Sequence, residues 1–198
     1  MTKQHISFSE LRTWAECPFK HKLQYIDGIK GFTGNIFTAF GTAIHSVCEN
    51  IAKKEIEERL YEEIDELTYK WHLKGFIDLV IKTADGKYHI LDWKSCSWGW
   101  KAEKRSEKLV TYQLTLYKKF FCKKHDIDPK LVETHFGLLK RTAKKNKVEI
   151  FRVTSGARKT NGATKLLTDG CRTIKDGNFV KNRKSCSKCD FNKTKHCP

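Results

Sequence analysis

A mixed α/β fold is what the 198 residues predict, and three observations carry that reading. Two pairs of alternating apolar and polar segments, each joined by a short polar loop, have the pattern of β-hairpins. Stretches with apolar residues at helical spacing precede, separate and follow them, so helices and strands share one chain. Hydrophobic residues make up 39% and aromatics 12%, with only three prolines, so the chain can bury a core. A disordered tail protein is excluded.

Residues 7–26 open on Ser7 and Ser9, either able to cap a helix. Phe8, Leu11, Trp14, Ala15, Phe19 and Leu23 follow at mostly helical spacing. Pro18, directly after Cys17, breaks this helix into two short pieces. Residues 28–42 hold Gly28, Gly31, Gly34 and Gly41 and read as loop-rich, and 42–67, with Ile44, Val47, Cys48 and Ile51, reads as one long helix. Residues 74–83 and 87–95 alternate around Ala84-Asp85-Gly86. A three-residue loop with Gly86 left-handed pairs Thr83 with Lys87. That register sets Ile77 opposite Trp93, Leu79 opposite Leu91 and Ile81 opposite His89 on an apolar core face, and Asp78 opposite Asp92 on the other. A two-residue loop would face apolar side chains with polar ones and cost burial. Residues 107–124 read as a helix, 134–139 and 147–153 as a second hairpin, and 163–175 as a last helix ended by Asp176-Gly177.

Lysine and arginine number 39 against 23 acidic residues, a formal net charge of +16. A field of that sign attracts polyanions, of which nucleic acid is the commonest inside a cell; plain surface solvation is the alternative. The charge is clustered: Lys140, Arg141, Lys144, Lys145 and Lys147 share one eight-residue segment, and six more basic residues crowd the C-terminal end. With no run of 18 apolar residues and a polar start, the expectation is a cytoplasmic protein with no membrane association and no signal peptide. In a reducing compartment, grouped cysteines point to metal or cluster ligation rather than disulfides. Cys186, Cys189 and Cys197 are grouped, and Cys17 stands alone near the other end. Cys48, Cys96, Cys122 and Cys171 read as small core residues.

Asp92 and Lys94, two apart on a strand, share a face, and the inferred register sets Asp78 beside Asp92 with β-carbons about 4.5–5.5 Å apart. Two carboxylates that close repel. A divalent cation between them removes the conflict, since Mg2+ accepts carboxylate oxygens and keeps some of its waters. From spacing alone, an exposed sheet face on which Lys94 neutralises both acids is the alternative. His45, with Glu49 one helical turn on, is either a structural histidine or a ligand. Gln113 and Tyr117, also four apart, place a polar side chain on a helix face that packs on the sheet, where it needs a partner.

Gly75-Phe76-Ile77-Asp78 followed by Leu91-Asp92-Trp93-Lys94 resembles the signature of the PD-(D/E)XK nuclease superfamily. Gly41-Thr42-Ala43-Ile44-His45 at a helix start and Gln113-Leu114-Thr115-Leu116-Tyr117 on the later helix are similar to its RecB-type branch. That branch includes the CRISPR-associated iron–sulfur exonucleases and the AddB-type helicase–nuclease domains. Phe8-Ser9-Glu10 through Cys17-Pro18, and Cys186-Ser187-Lys188-Cys189 with Cys197, resemble it too, in the same order from about residue 6 to the end. The resemblance implies a restriction-endonuclease-like core, a mixed sheet flanked by helices, with a cysteine-rich tail tied to the N-terminal segment. It implies one nuclease domain over 1–198, with an N-terminal segment over 1–40, a catalytic core over 41–155 and the helix and tail over 156–198.

The same resemblance implies a metal-dependent phosphodiesterase that cuts DNA. Asp78, Asp92, the Trp93 carbonyl and His45 would hold Mg2+ or Mn2+, with the imidazole favouring Mn2+. Lys94 would hold the attacking water, and Gln113 and Tyr117 would organise the site. Cys17, Cys186, Cys189 and Cys197 would hold a [4Fe–4S] cluster, which needs four thiolates. The seven residues between Cys189 and Cys197 make a wider gap than in that branch. His196 is an alternative last ligand, and a structural Zn2+ an alternative occupant. The expected substrate is single-stranded DNA or a DNA end. The Gly-rich 28–42 segment, Trp98, Trp100 and the basic 140–147 loop would thread and stack it, though both tryptophans equally suit buried packing. A separate helicase, recombinase or integrase is an expected partner. A catalytically silent nucleic-acid-binding or assembly subunit is the alternative.

Overall fold

A computed structural model describes residues 3–31, 39–43, 46, 47 and 58–198. Its elements begin with β1 (His5–Ser7), α1 (Phe8–Glu16) and α2 (Pro18–His21), which continues into a π-helical turn over Lys22–Ile26. Then come β2 (Glu58–Glu63), β3 (His72–Ile77), β4 (Leu79–Lys82), β5 (Tyr88–Cys96), α3 (Ala102–Ser106) and α4 (Lys108–His125). The chain ends with β6 (Val132–Lys140), β7 (Val148–Val153), α5 (Ala157–Lys175) and a 3-10 turn over Arg183–Lys188. One sheet has the order β1-β3-β2 and the other β4-β5-β6-β7. In the second sheet β5 and β6 run parallel while β4 and β7 pair antiparallel at the edges. This is the mixed α/β architecture, sheets flanked by helices, that the sequence predicts. The chain divides into two compact units, residues 1–34, 63–73 and 164–198 in one and 35–62 and 74–163 in the other. Among the described residues no helix is long and apolar enough to cross a membrane.

Local chemistry explains the helix ends. Ser7 accepts a hydrogen bond from the Glu10 backbone N–H at 3.2 Å, satisfying one of the unpaired donors of the first turn of α1. Pro18 occupies the first turn of α2, where no N–H is needed, so the chain breaks at Cys17 as its sequence predicts. Helix α4 buries Val110, Leu114, Tyr117, Phe120 and Phe121 and ends on left-handed Asp126. Helix α5 starts at Ala157 rather than 163 and stops before Gly177, whose φ of +67° reverses the chain. The second hairpin is present as β6 and β7.

Three expectations are corrected. The predicted helix over 42–67 does not hold at its end: Glu58–Glu63 is strand β2, with Glu58 and Leu60 buried and Arg59 and Tyr61 exposed. Leu60 and Ile64 lie four apart, a spacing that places side chains on one face of a helix and of a strand alike. Helical backbone is present at 39–43 and 46–47, and the rest of that prediction lies outside the described residues, as do Cys48 and residues 32–38 of the Gly-rich segment.

The single strand predicted over 74–83 is two strands in different sheets, β3 and β4, divided at Asp78. Leu79 pairs with Leu91 and Ile81 with His89, the expected register, with Gly86 at φ +80° in the expected loop. The ladder stops at Leu79, however. Ile77 is not paired with Trp93, nor Asp78 with Asp92, because β3 leaves to join β1 and β2. The third correction concerns the faces. Leu79 and Leu91 are buried as expected, but on the same face Ile81 is exposed and His89 half-buried, while Val80, Ile90 and Asp92 on the other face are buried. The hairpin is therefore covered on both faces near Asp92.

Candidate active site

Asp92 sits in the middle of β5, just past the end of the β4 ladder, paired with Phe136 of β6 and met by Gln113 of α4, and is 2% exposed. A carboxylate so buried needs donors. Gln113 Nε2 on α4 donates to Oδ1 at 2.8 Å, which is the partner that a polar residue on this helix face requires. Oδ2 lies 2.5 Å from the Lys94 ammonium, an ion pair. The other acid arrives by a different route from the one its sequence predicts. Asp78 occupies the bend between β3 and β4, and its Oδ2 accepts the Trp93 backbone N–H at 2.7 Å. The bend, rather than ladder pairing, brings it to β5.

Tyr117, one turn after Gln113 on α4, closes the group. Gln113 Nε2 also lies 3.4 Å from its hydroxyl. Burial, followed by the charge of Asp92 and then that of Asp78, pushes the phenol well above its ordinary value, so it stays protonated. Gly75 makes room for the ring: a Cβ there would lie 2.9 Å from Tyr117 Cε1. Gly137 does the same for Trp93, whose ring atoms would be 2.4 Å from an added Cβ.

The structure thus brings together Asp78, Asp92, Lys94, Gln113, Tyr117 and the Trp93 backbone. His45 and Glu49 lie outside the described residues. Gly41, at the head of the same motif, is described: a Cβ on it would lie 3.1 Å from Ser95 Oγ at the end of β5. The arrangement fits a divalent cation. The carboxylates of Asp78 and Asp92 both reach β5, the first through the Trp93 backbone N–H and the second in a buried position beside the Lys94 ammonium, and oxygen donors of this kind are what Mg2+ or Mn2+ takes.

Past the end of β5 a cleft is lined by Trp98, Lys101, Lys104, Arg105 and Arg141. The two tryptophans part company here. Trp100 packs edge-on against Phe136 and Phe151, with ring centroids 5.2 and 6.1 Å away, whereas Trp98 is 72% exposed. Lys144, Lys145 and Lys147 are exposed in the loop between β6 and β7. Lys140 is paired with Glu149 at 3.2 Å and largely buried, and Arg141 donates to Ser97 Oγ at 2.7 Å. Lys101, Lys104 and Arg105 escape a reading of the sequence because their charges are interleaved with Glu103 on α3 and gain meaning only beside Arg141.

In the other unit, Cys17, Cys186, Cys189 and Cys197 line one pocket. Asn182 ties its two sides: its side chain donates to the Glu16 carbonyl at 2.8 Å and its backbone N–H points at Cys17 Sγ, 3.4 Å away. An N–H aimed at sulfur stabilises a thiolate, as cluster and metal ligation require. Cys122 and Cys171 are buried elsewhere, as expected of core residues, and Cys96 is half-buried.

A comparison with curated proteins finds no match. Among solved structures, that of the protein SSO0001 has a TM-score of 0.63 at 15% identity and covers 96% of this chain and 85% of that one. A candidate exonuclease from Eubacterium rectale has a TM-score of 0.62 at 11% identity, covering 98% and 90%. At such identities the likeness shows the fold. The family model of the PD-(D/E)XK nucleases matches residues 5–71 and 54–194, most of the sequence, and the chain belongs to the PD-(D/E)XK nuclease superfamily.

Proposed function

We propose that this protein is a metal-dependent exonuclease of the RecB-type branch, acting on single-stranded DNA or DNA ends. The observation that carries the catalytic reading is the buried Asp92 carboxylate, held at one oxygen by Gln113 and at the other only by the Lys94 ammonium, with Asp78 beside it. Asp78, Asp92 and the Trp93 carbonyl, with His45, would hold Mg2+ or Mn2+. When bound, such an ion supplies Lewis-acid activation of water and neutralises charge on the phosphate. Gln113 fixes the orientation of the Asp92 carboxylate, and Tyr117, kept neutral, adds no charge to a site already rich in it. Lys94 presents an ammonium that can donate an N–H to the oxygen of a water and offset charge gathering on the phosphate oxygens.

Exposed Trp98 beside Lys101, Lys104 and Arg141 offers what a single strand needs, an aromatic face for a base and cations for the backbone. The candidate exonuclease among the structural relatives supports the same class. Lys144, Lys145 and Lys147, with Arg141, would extend the backbone contact; Lys140, already paired with Glu149, would act through its neighbours.

The four cysteines fit a [4Fe–4S] cluster joining the two ends of the chain. Among the described residues no three of their sulfurs lie within 4.8 Å of one another. Four thiolates lining one pocket are the number such a cluster needs, and a structural Zn2+ is the alternative occupant. Anaerobically purified protein should be brown, with the colour lost in Cys186→Ala; colourless protein with stoichiometric zinc would overturn this part.

Linear end-labelled single-stranded DNA should be degraded with Mn2+ and left intact with EDTA, while a circular single strand resists. Asp92→Ala and Lys94→Ala should abolish turnover and retain DNA binding. Cutting of the circle overturns the exonuclease assignment. Turnover that is indifferent to EDTA or to both substitutions overturns the catalytic one.

A further inference from the structure

On the face of the second sheet opposite Asp92, three side chains with metal-ligating atoms converge. His89 lies on β5, and Glu133 and His135 lie two apart on β6, so the latter pair share a face. The parallel ladder sets His89 beside Glu133 and Leu91 beside His135. His89 Nδ1 is 3.1 Å from His135 Nε2, which in turn is 4.0 Å from Glu133 Oε2. Among the described residues this is the one trio whose ligand atoms all lie within 4.8 Å of one another. All three are half-buried.

We propose that His89, Glu133 and His135 form a second divalent-metal site, of the zinc type, that clamps β5 to β6. Tetrahedral ligation with Zn–N bonds of about 2.0–2.1 Å separates neighbouring ligand atoms by about 3.3 Å, close to the observed His–His spacing, so the imidazoles need hardly move. Glu133 closes by a small side-chain rotation. Two imidazoles and one carboxylate suit Zn2+ and its neighbours rather than Mg2+, which prefers an all-oxygen shell. Half-burial leaves a fourth position for water.

The surroundings support ligation. Arg152, opposite His135 on β7, reaches Glu133 Oε1 at 3.2 Å and leaves Oε2 for the ion, the kind of outer partner that orients a ligating carboxylate. The ion would tie together the two parallel strands of the sheet, one of which carries Asp92 and Lys94 farther along. This site does not depend on the nuclease assignment.

The test is a Zn2+ titration of chelator-washed full-length protein in excess Mg2+, read by correlation spectra of the histidine ring nitrogens. His89 and His135 should shift together by the first zinc equivalent. Glu133→Gln should weaken that step at least tenfold, and His135→Asn should bind one equivalent fewer. The competing account is a simple hydrogen bond between the two rings. If both rings keep their metal-free spectra at saturating zinc, or His135→Asn binds as many equivalents as the wild type, the site does not exist. The wild-type spectra decide the matter even where a variant fails to fold.

Discussion

Gly75→Ala is expected to destabilise the protein and slow cleavage together, through one contact. The added methyl would lie 2.9 Å from Tyr117 Cε1, with Cζ and Cδ1 at 3.5 and 3.6 Å. Carbon atoms pack best at about 3.5–4.0 Å, so the ring must retreat by roughly 0.6–1.1 Å. It cannot do so freely. Tyr117 is 6% exposed, and its hydroxyl is met by Gln113 and by the Phe76 backbone. Overpacking a site of this kind costs about 1–3 kcal/mol. For a chain of this length each kcal/mol lowers the unfolding midpoint by about 2–4 °C, so the expected drop is about 2–12 °C in a thermal melt. Because Gln113 contacts both Tyr117 and Asp92, a displaced ring disturbs the carboxylate, and kcat should fall by at least about tenfold while the protein remains folded. Tyr117→Leu removes the clashing ring atoms, so the double variant should lose less stability than the two single losses added together. Strict additivity, or a Gly75→Ala midpoint within 1 °C or so of wild type, would refute this reasoning.

Three other outcomes are expected. Glu10 is buried with His21 Nε2 at 2.9 Å and Lys3 Nζ at 2.6 Å; burial works to raise its pKa, but the hydrogen bonds and charges of these two partners leave it below the ordinary 4.5. Its contribution is therefore full above pH 4.5 and lost as the pH falls through the lower folded value. The stability gap to Glu10→Gln, about 1.5–3 kcal/mol at neutral pH, should narrow in acid; denaturant melts from pH 7 to 3 that show a constant gap would contradict this. Burial lifts the Cys122 thiol to about 11 and that of Cys171 to about 12. At pH 8 about one Cys122 thiol in a thousand is then ionised, and iodoacetamide followed by mass spectrometry should label neither before unfolding. Trp98→Ala should weaken single-strand binding by about 1–3 kcal/mol, or roughly 5- to 150-fold, and leave the melt unchanged; Trp100→Ala, which removes a ring packed on Phe136 and Phe151, should lower the midpoint.

Much of the site is written in short-range pattern. Asp92 and Lys94 share a face because a strand repeats every two residues, and Gln113 and Tyr117 share one because a helix turn spans nearly four. The loop at Gly86 and the break at Pro18 follow from backbone sterics within a few residues. The route of Asp78 to the site was hidden because continuous alternation through 74–83 does not reveal that two halves of a strand join different sheets. The His89, Glu133 and His135 trio was hidden for a related reason. Glu133 and His135 are visibly two apart, but nothing near them in sequence announces that His89 is next door.

What the sequence determined by itself is the conformation of the well-patterned elements and the pairing of Asp92 with Lys94 and of Gln113 with Tyr117 on shared faces, since sterics, capping and side-chain periodicity act over a turn or a strand; the 58–63 segment, whose spacing suits helix and strand alike, was not among them. The tertiary structure decided which strands became neighbours, that β5 and β6 lie parallel, that Trp98 stays in solvent while Trp100 is packed, and that Cys17 meets a tail some 170 residues away. Those outcomes depend on closing long loops and on which surfaces lose water together, and no local window of residues contains that competition.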